Sequence, residues 1–142
     1  MSEPIVFVIS FNIKEGKADE FKKHYQKSIQ PIFDSKPGTL AQLAYENEAS
    51  TKFTVIRIFP SADALDHHLL GSDERSIKTF KFVEPNCIEI LGTPNLGTLE
   101  KMEKIAESDV TVSISPNYMG GFIRYVETEK GENNGFTNWV EK

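Results

Sequence analysis

The segment PIVFVISFNI, residues 4–13, limits the fold more than any other part of the chain. One set of alternating positions is uniformly apolar and consists of Ile5, Phe7, Ile9, Phe11 and Ile13. The other set begins apolar and ends polar, because Val6 and Val8 are followed by Ser10 and Asn12. Alternation of this kind is typical of a β-strand. A strand that is apolar on both sides for half its length is expected in the middle of a sheet covered on both faces.

An amphipathic helix is predicted directly after this strand. Its apolar stripe consists of Ala18, Phe21, Tyr25, Ile29 and Ile32, with lysines on the opposite side. Pro31 lies inside the pattern and is expected to kink or end the helix near Gln30. The triplet KPG at 36–38 then predicts a turn.

Two strands, a short helical region and a fourth strand complete the pattern. Residues 39–48 and 51–60 predict a hairpin, and the second of these strands is rich in β-branched side chains. Ser61 is a typical N-cap for the next helix, and Gly71 is a typical end for it. Residues 86–92 predict the fourth strand. The order β-α-β-β-α-β is that of a ferredoxin-like α+β fold.

We expect residues 1–95 to form this ferredoxin-like domain and residues 96–142 to form a C-terminal extension. Residues 98–108 predict a helix, and the runs VTVSIS and GFIRYVE predict strands, either as an added hairpin or as extra strands. The extension is expected to pack on the same domain or on a dimer partner. Phe136 and Trp139 are candidate anchors in its polar tail.

The face of the sheet away from the two helices is also predicted to be partly apolar. The residues assigned to it are Phe53, Val55, Phe59, Cys87, Leu91 and Leu40, interspersed with Gln42, Arg57 and Glu89. A face of mixed polarity is typical of an interface with a partner sheet, although the C-terminal extension could cover part of it instead.

Composition excludes several classes of function. The chain is 39% apolar and 26% charged with a net charge of -5, which is typical of a globular protein without a nucleic-acid or anionic-membrane partner. The run Ile5–Ile9 is too short to cross a membrane, and no signal peptide is expected. A single cysteine, Cys87, fits a reducing compartment, so a cytoplasmic location is predicted.

Three features of residues 4–92 together resemble the antibiotic biosynthesis monooxygenase domain of the dimeric α+β barrel superfamily. Strand one leads through EGK into an amphipathic helix, and the turn KPGTL resembles the Pro-Gly turn before the family's second strand. FTVIRIFPSADALDHH resembles the family pattern of an aromatic residue, Ser, a short helix, Ala-Leu and His. By this resemblance His68 takes the place of the family's histidine, and Phe59 takes a place where Trp or Tyr is common.

The resemblance implies a homodimer in which two sheets face each other, with a pocket between sheet and helices in each subunit. It also implies oxidation of phenolic or quinol-type substrates by dioxygen without a metal or a flavin. In that chemistry a base forms a phenolate-like anion, and the protein supplies a dry cavity and hydrogen bonds to the anion. A haem-degrading branch of the superfamily is disfavoured, because Phe59 replaces its Trp, Asn12 lies nearer the strand end than its Asn, and Thr79 falls near its ligand position.

The adjacent histidines His67 and His68 are separated by helical phase. Leu65, Leu69 and Ala62 are predicted to point inward, which places His68 at the edge of this face and His67 in solvent. Neighbouring helix residues do not face each other, so the two histidines are not expected to chelate a metal together. His68 is either a catalytic base, since an ordinary imidazole titrates near pH ~6.5, or a histidine packed beside the core.

Four further residues are candidates for binding a substrate. Tyr25 could offer its hydroxyl in a pocket between sheet and helix or serve as a core aromatic, and Phe59 follows from the family resemblance. Asn12 could line the pocket or simply end strand one. Arg57 could bind an anion or cross a dimer interface with Glu89, or the two could form a structural ion pair. No metal or cofactor site is expected.

The function expected from these residues is a cofactor-independent monooxygenase that oxidises an aromatic or quinol-type small molecule. The alternative is a non-catalytic dimer of the same fold that binds a small ligand or acts as a scaffold.

Overall fold

A five-stranded mixed sheet organises the chain in the computed structural model, which describes residues 3–124. The elements in chain order are β1 (Ile5–Ile13), α1 (Ala18–Ser35), β2 (Ala41–Glu46), β3 (Lys52–Phe59), α2 (Ala62–Leu69), α3 (Ser72–Thr79), β4 (Val83–Leu91), α4 (Leu96–Ala106) and β5 (Thr111–Ser115). The predicted ferredoxin-like α+β order and the C-terminal helix plus strand are therefore confirmed.

Strand β1 lies in the middle of the sheet, whose order is β2-β3-β1-β4-β5. It pairs antiparallel with both β3 and β4, as its two-sided apolar pattern predicts. The added strand β5 does not belong to a hairpin. It pairs parallel with β4, and α4 forms the crossover that a parallel connection requires.

Helices α1, α2 and α4 all cover the same face of the sheet. The core around α2 and α4 contains the buried residues Ile5, Phe7, Phe59, Leu65, Ile88, Ile90, Met102 and Val110. The core around α1 contains Phe11, Phe21, Phe53, Val55 and Val83. Phe21 and Phe53 meet edge to face with ring centroids 4.6 Å apart, a geometry that adds specific attraction to the burial of apolar surface.

The prediction that β3 turns its aromatic residues to the open face was wrong. In an antiparallel pair, directly opposed residues share a face, and Phe59 and Val55 are opposed to Ile5 and Ile9 of β1. Phe53, Val55 and Phe59 therefore lie under the helices, and Arg57 with them, opposite Phe7. Both alternating sets of β3 contain apolar residues, so hydrophobicity alone did not select the buried one.

The open face instead carries aliphatic side chains of moderate size. It contains Val6, Val8, Ile56, Ile58, Leu43, Tyr45 and, as predicted, Cys87, Glu89 and Leu91. Arg57 and Glu89 consequently lie on opposite faces of the sheet and cannot form the pair that the sequence suggested.

Pro31 does not end α1, which continues to Ser35, so of the predicted kink or end near Gln30 the end is wrong. Proline removes one backbone donor from a helix interior, but the following turn still forms here. The backbone N–H of Lys36 donates to Ile32 O at 2.9 Å, and Ser35 Oγ donates to Pro31 O at 2.8 Å.

Hydrogen bonds join α4 to α2. Asp66 of α2 accepts from Thr98 Oγ1 at 2.5 Å and from Asn95 Nδ2 at 2.7 Å. Met102, on the inner side of α4, is 2% exposed within the core. Residues 96–115 thus share the sheet and the core of the ferredoxin-like unit.

The rest of the predicted extension is only partly described. Residues 116–124 form no helix or strand, so the first part of GFIRYVE is not a strand. The remainder of that run, and the candidate anchors Phe136 and Trp139, lie outside the described residues. Within residues 3–124, no helix is both long and apolar enough to cross a membrane.

Truncation of Met102 tests whether α4 belongs to the core. Met102→Ala is expected to lower the free energy of unfolding by about 2–5 kcal/mol, because it leaves a cavity at a fully buried position. Leu96→Ala is the matched control, because Leu96 lies on the same helix but is 69% exposed. It should lower the free energy of unfolding far less. Urea unfolding measures both, and equal losses would show that α4 does not pack as described.

Candidate functional site

Helix α2 carries His68 into the interior. The helix begins where Ser61 Oγ accepts a hydrogen bond from the backbone N–H of Ala64 at 3.2 Å, a standard N-cap contact. From this start, helical phase points Leu65 and His68 toward the sheet, and His67 is exposed as predicted. His68 is only 2% exposed and lies deeper than the predicted edge position.

Two neighbours orient the His68 ring. Nδ1 lies 2.7 Å from Thr39 Oγ1, in the segment before β2, and the ring meets Phe59 edge to face with centroids 5.4 Å apart. Nε2 forms no hydrogen bond with any residue in the range 3–124. In the same range no fully enclosed polar side-chain atom lacks a partner.

The pKa of His68 is lowered to about 3, mainly by burial of the ring and then, in decreasing order, by the positive charges of Arg57, Arg75 and Lys36. Exposed His67 adds a smaller effect in the same direction. The imidazole is therefore neutral at physiological pH, and one of its nitrogens is available as an acceptor.

Two of these cations are held at the C-terminal end of α2. Lys36 Nζ donates to the carbonyl oxygens of His67 and Leu70 at 2.8 and 3.0 Å, and Arg75 donates to those of His68 and Leu70 at 2.8 and 2.9 Å. Cations are favourable here because a helix C-terminus presents unpaired carbonyl groups and a partial negative charge. Sequence reasoning missed both residues, since their partners are backbone atoms distant along the chain.

Arg57, Gln42 and Tyr25 form a polar chain between sheet and helix. Arg57 Nε donates to Gln42 Oε1 at 2.8 Å, and Gln42 Nε2 donates to the Tyr25 hydroxyl at 3.2 Å. An arginine only donates, so it fixes the orientation of the Gln42 amide. Burial raises the pKa of Tyr25, which keeps its hydroxyl protonated. Gln42 was not proposed as a site residue from the sequence, although its position directly opposite Arg57 follows from the hairpin register.

Four of the five residues predicted for the site thus lie on the helix-covered face: His68, Phe59, Arg57 and Tyr25. Asn12 does not join them. It is exposed, and it follows Phe11, whose side chain points under the helices, so the alternation of β1 directs Asn12 to the open face.

A surface cleft formed by residues within the range 3–124 lies in a different place. It has a volume of about 260 Å³ and is lined by Glu3, Ile5, Ser61, Ala62, Asp63 and Thr93, at the N-terminal end of α2. His68 does not line it. No group of three or more His, Cys, Asp or Glu side chains within residues 3–124 is arranged to hold a metal ion.

The fold and the covered polar site define a ferredoxin-like α+β protein with a histidine and an arginine between sheet and helices. The model of the family described as antibiotic biosynthesis monooxygenase matches residues 4–74, which is half of the chain. The chain belongs to this family. A search of curated protein sequences gave no significant match.

Solved structures share the fold at low sequence identity. MupZ from Pseudomonas fluorescens is 19% identical with a TM-score of 0.65, and the match covers 87% of this chain and 91% of MupZ. SnoaB from Streptomyces nogalater, a cofactor-independent oxygenase, is 14% identical with a TM-score of 0.55, covering 66% and 96%. A conserved protein from Methanosarcina mazei Go1 is 18% identical with a TM-score of 0.54, covering 62% and 90%. The match to MupZ is long enough to include part of the C-terminal extension.

The buried neutral state of His68 predicts a specific dependence of stability on pH. Unfolding restores an ordinary pKa of ~6.5, so below that pH the unfolded chain binds a proton that the folded chain does not. His68 therefore costs stability as the pH falls from about 6.5 toward 3, by up to about 1.4 kcal/mol per pH unit. Replacement of His68 by a non-titrating residue, His68→Gln, should make the free energy of unfolding less dependent on pH in this range.

His67→Gln is the matched control, because it removes the exposed neighbour on the same helix. Urea unfolding between pH 4 and pH 7 should give nearly the same slope for this variant and the wild type. If His68→Gln leaves the slope unchanged, or if His67→Gln flattens it equally, His68 is not buried in its neutral form.

Proposed function

We propose that the chain is a cytoplasmic, cofactor-independent monooxygenase that oxidises an aromatic or quinol-type small molecule with dioxygen. The observation that carries this proposal is a neutral His68 whose Nε2 is unbonded within the described residues, beside the chain Arg57–Gln42–Tyr25. Membership of the monooxygenase family supports it, and so does the fold shared with SnoaB, a cofactor-independent oxygenase.

The proposed reaction begins with loss of a proton from an acidic C–H or O–H group of the substrate. If Nδ1–H of His68 donates to Thr39 Oγ1, Nε2 carries the lone pair and accepts this proton. The substrate anion adds to dioxygen through carbon and gives a peroxide, which takes up a proton. Loss of water then leaves a carbonyl group, so one oxygen atom enters the product and the other enters water. The protein supplies a proton acceptor, an orientation and donors for the developing anion.

Oxygen consumption tests this proposal directly. Wild-type protein should consume dioxygen with members of a panel of quinols and anthrones, and His68→Gln should lower the rate by about 100-fold or more, as expected for loss of a general base. His67→Gln should retain the wild-type rate. Consumption that is indistinguishable in the wild type and His68→Gln would remove His68 from the reaction.

One observation favours the non-catalytic alternative. Phe59 and Leu65 are fully buried and His68 is almost so, which is also the packing expected of a purely structural histidine. Binding of aromatic ligands by the wild type without any oxygen consumption, across the whole panel, would support a ligand-binding protein and contradict the monooxygenase.

We further propose a homodimer in which the open sheet faces of two copies meet. Val6, Val8, Ile56 and Ile58 are only half-buried on this face, and Leu43 is 38% exposed. Contiguous apolar surface of this kind is typical of an interaction site. The same arrangement is implied by the resemblance to the dimeric α+β barrel superfamily.

A charge placed on this face should separate the copies. Light scattering at micromolar concentration is expected to give twice the chain mass for the wild type and the chain mass for Ile56→Glu. Lys104→Gln, on the last turn of α4, lowers the net charge by the same one unit away from this face and should stay dimeric. A wild-type monomer would contradict the proposed dimer.

A further inference from the structure

Among residues 3–124, Arg57 has no acidic partner. Its Nε is bonded to Gln42, but within residues 3–124 no carboxylate lies within 4.0 Å of its guanidinium, and the two Nη atoms form no hydrogen bond there. Burial lowers the pKa of Arg57 to about 10, so the group stays positively charged at neutral pH. A half-buried charge is costly when no counter-ion is near, and an anion of suitable geometry would remove part of that cost.

The Arg57 side chain is not fully enclosed. It is only half-buried, so part of it reaches the surface. Arg57, Gln42 and Tyr25 are all half-buried, which places an opening between α1 and the hairpin β2–β3.

The groups that face this opening create a positive field. Arg75 from α3 acts on both Arg57 and His68, and Lys36, after α1, also acts on His68. Tyr25 from α1 contributes a neutral hydroxyl. That hydroxyl already accepts a hydrogen bond from Gln42, so its own proton is free to be donated.

We propose that Arg57 and Tyr25 anchor an acidic oxygen anion of the ligand, a carboxylate or a phenolate carried on an aromatic ring. Arginine binds such oxygens through two parallel N–H groups, and within the described residues neither Nη atom of Arg57 has another partner. The inference rests on the proposed function for the location of the site, but it does not require a reaction with dioxygen. It makes Arg57 the residue that selects acidic ligands over neutral ones.

Binding of a matched pair of unreactive ligands tests the carboxylate form. Calorimetry on the full chain should show 2-naphthoate binding about 10-fold or more tightly than its neutral isostere 2-naphthamide, a difference typical of a charge-assisted hydrogen bond. Arg57→Met should abolish this preference, and Arg57→Lys should retain part of it, because lysine keeps the charge without the paired donors. The control Arg124→Met removes an exposed arginine and should keep the full preference.

Absorbance of bound 4-nitrophenol tests the phenolate form. The positive field should lower the pKa of the bound phenol by about one unit or more relative to free 4-nitrophenol, and Arg57→Met should remove this shift. A preference for naphthoate without a change in the pKa of bound 4-nitrophenol would identify a carboxylate ligand. A lowered pKa of bound 4-nitrophenol without a preference for naphthoate would identify a phenolate.

The inference is overturned if the wild type shows neither the preference for naphthoate nor the lowered pKa of bound 4-nitrophenol. It is also overturned if Arg57→Met, shown to be folded by circular dichroism, retains both effects. If Arg57→Met does not fold, the preference for naphthoate over naphthamide is compared between the wild type and Arg57→Lys, and an equal preference in the two proteins overturns the inference. Oxygen consumption separates this result from the proposed function: selective anion binding without oxygen uptake would contradict the monooxygenase and leave the anion site intact.

Discussion

The pairing of β1 with its two neighbours determines the rest of the structure. Every second residue of β1 is buried beneath the helices. A residue of β3 or β4 that is directly opposed to one of these buried residues lies on the same, helix-covered face of the sheet. Phe7 opposite Arg57 and Ile5 opposite Phe59 therefore place an arginine and an aromatic ring under α1 and α2. A shift of this register by one residue would move both to the open face and dismantle the site.

The parts of the fold that depend on strong local patterns could be predicted from the sequence. These parts are the order of elements, the central position of β1, and the assignment of His68 to the inner side of α2 and of His67 to the exposed side. The buried face of β3 could not be predicted, because its alternating sets both contain apolar residues and only pairing with β1 distinguishes them. The continuation of α1 past Pro31 could not be predicted either. Proline removes one backbone N–H donor from the helix, and local sequence does not decide whether that loss ends it.

The candidate site could be predicted only as individual residues. His68, Arg57, Tyr25 and Phe59 were each selected for their chemistry or their family position. The hydrogen bonds that hold them involve two other residues: Gln42 joins Arg57 to Tyr25, and Thr39 bonds to His68. These two residues lie at the start of the β2–β3 hairpin, and no spacing in the sequence marks them. Lys36 and Arg75 act on the site by binding the carbonyl groups that end α2. Contacts of this kind depend on tertiary structure, since their partners are separated by many residues.

The low pKa of His68 and the charge of Arg57, which has no acidic partner among residues 3–124, have a common consequence for the proposed reaction. Without a ligand, the surrounding cations and the burial of the ring make His68 a very weak base. An anionic ligand held by Arg57 would neutralise part of that field and raise the pKa of His68, because the imidazolium would then have an opposite charge nearby. The same field favours ionisation of an acidic group on the ligand. Under the proposed function, binding and proton transfer would therefore be coupled, and an acidic ligand in place would make His68 a better proton acceptor.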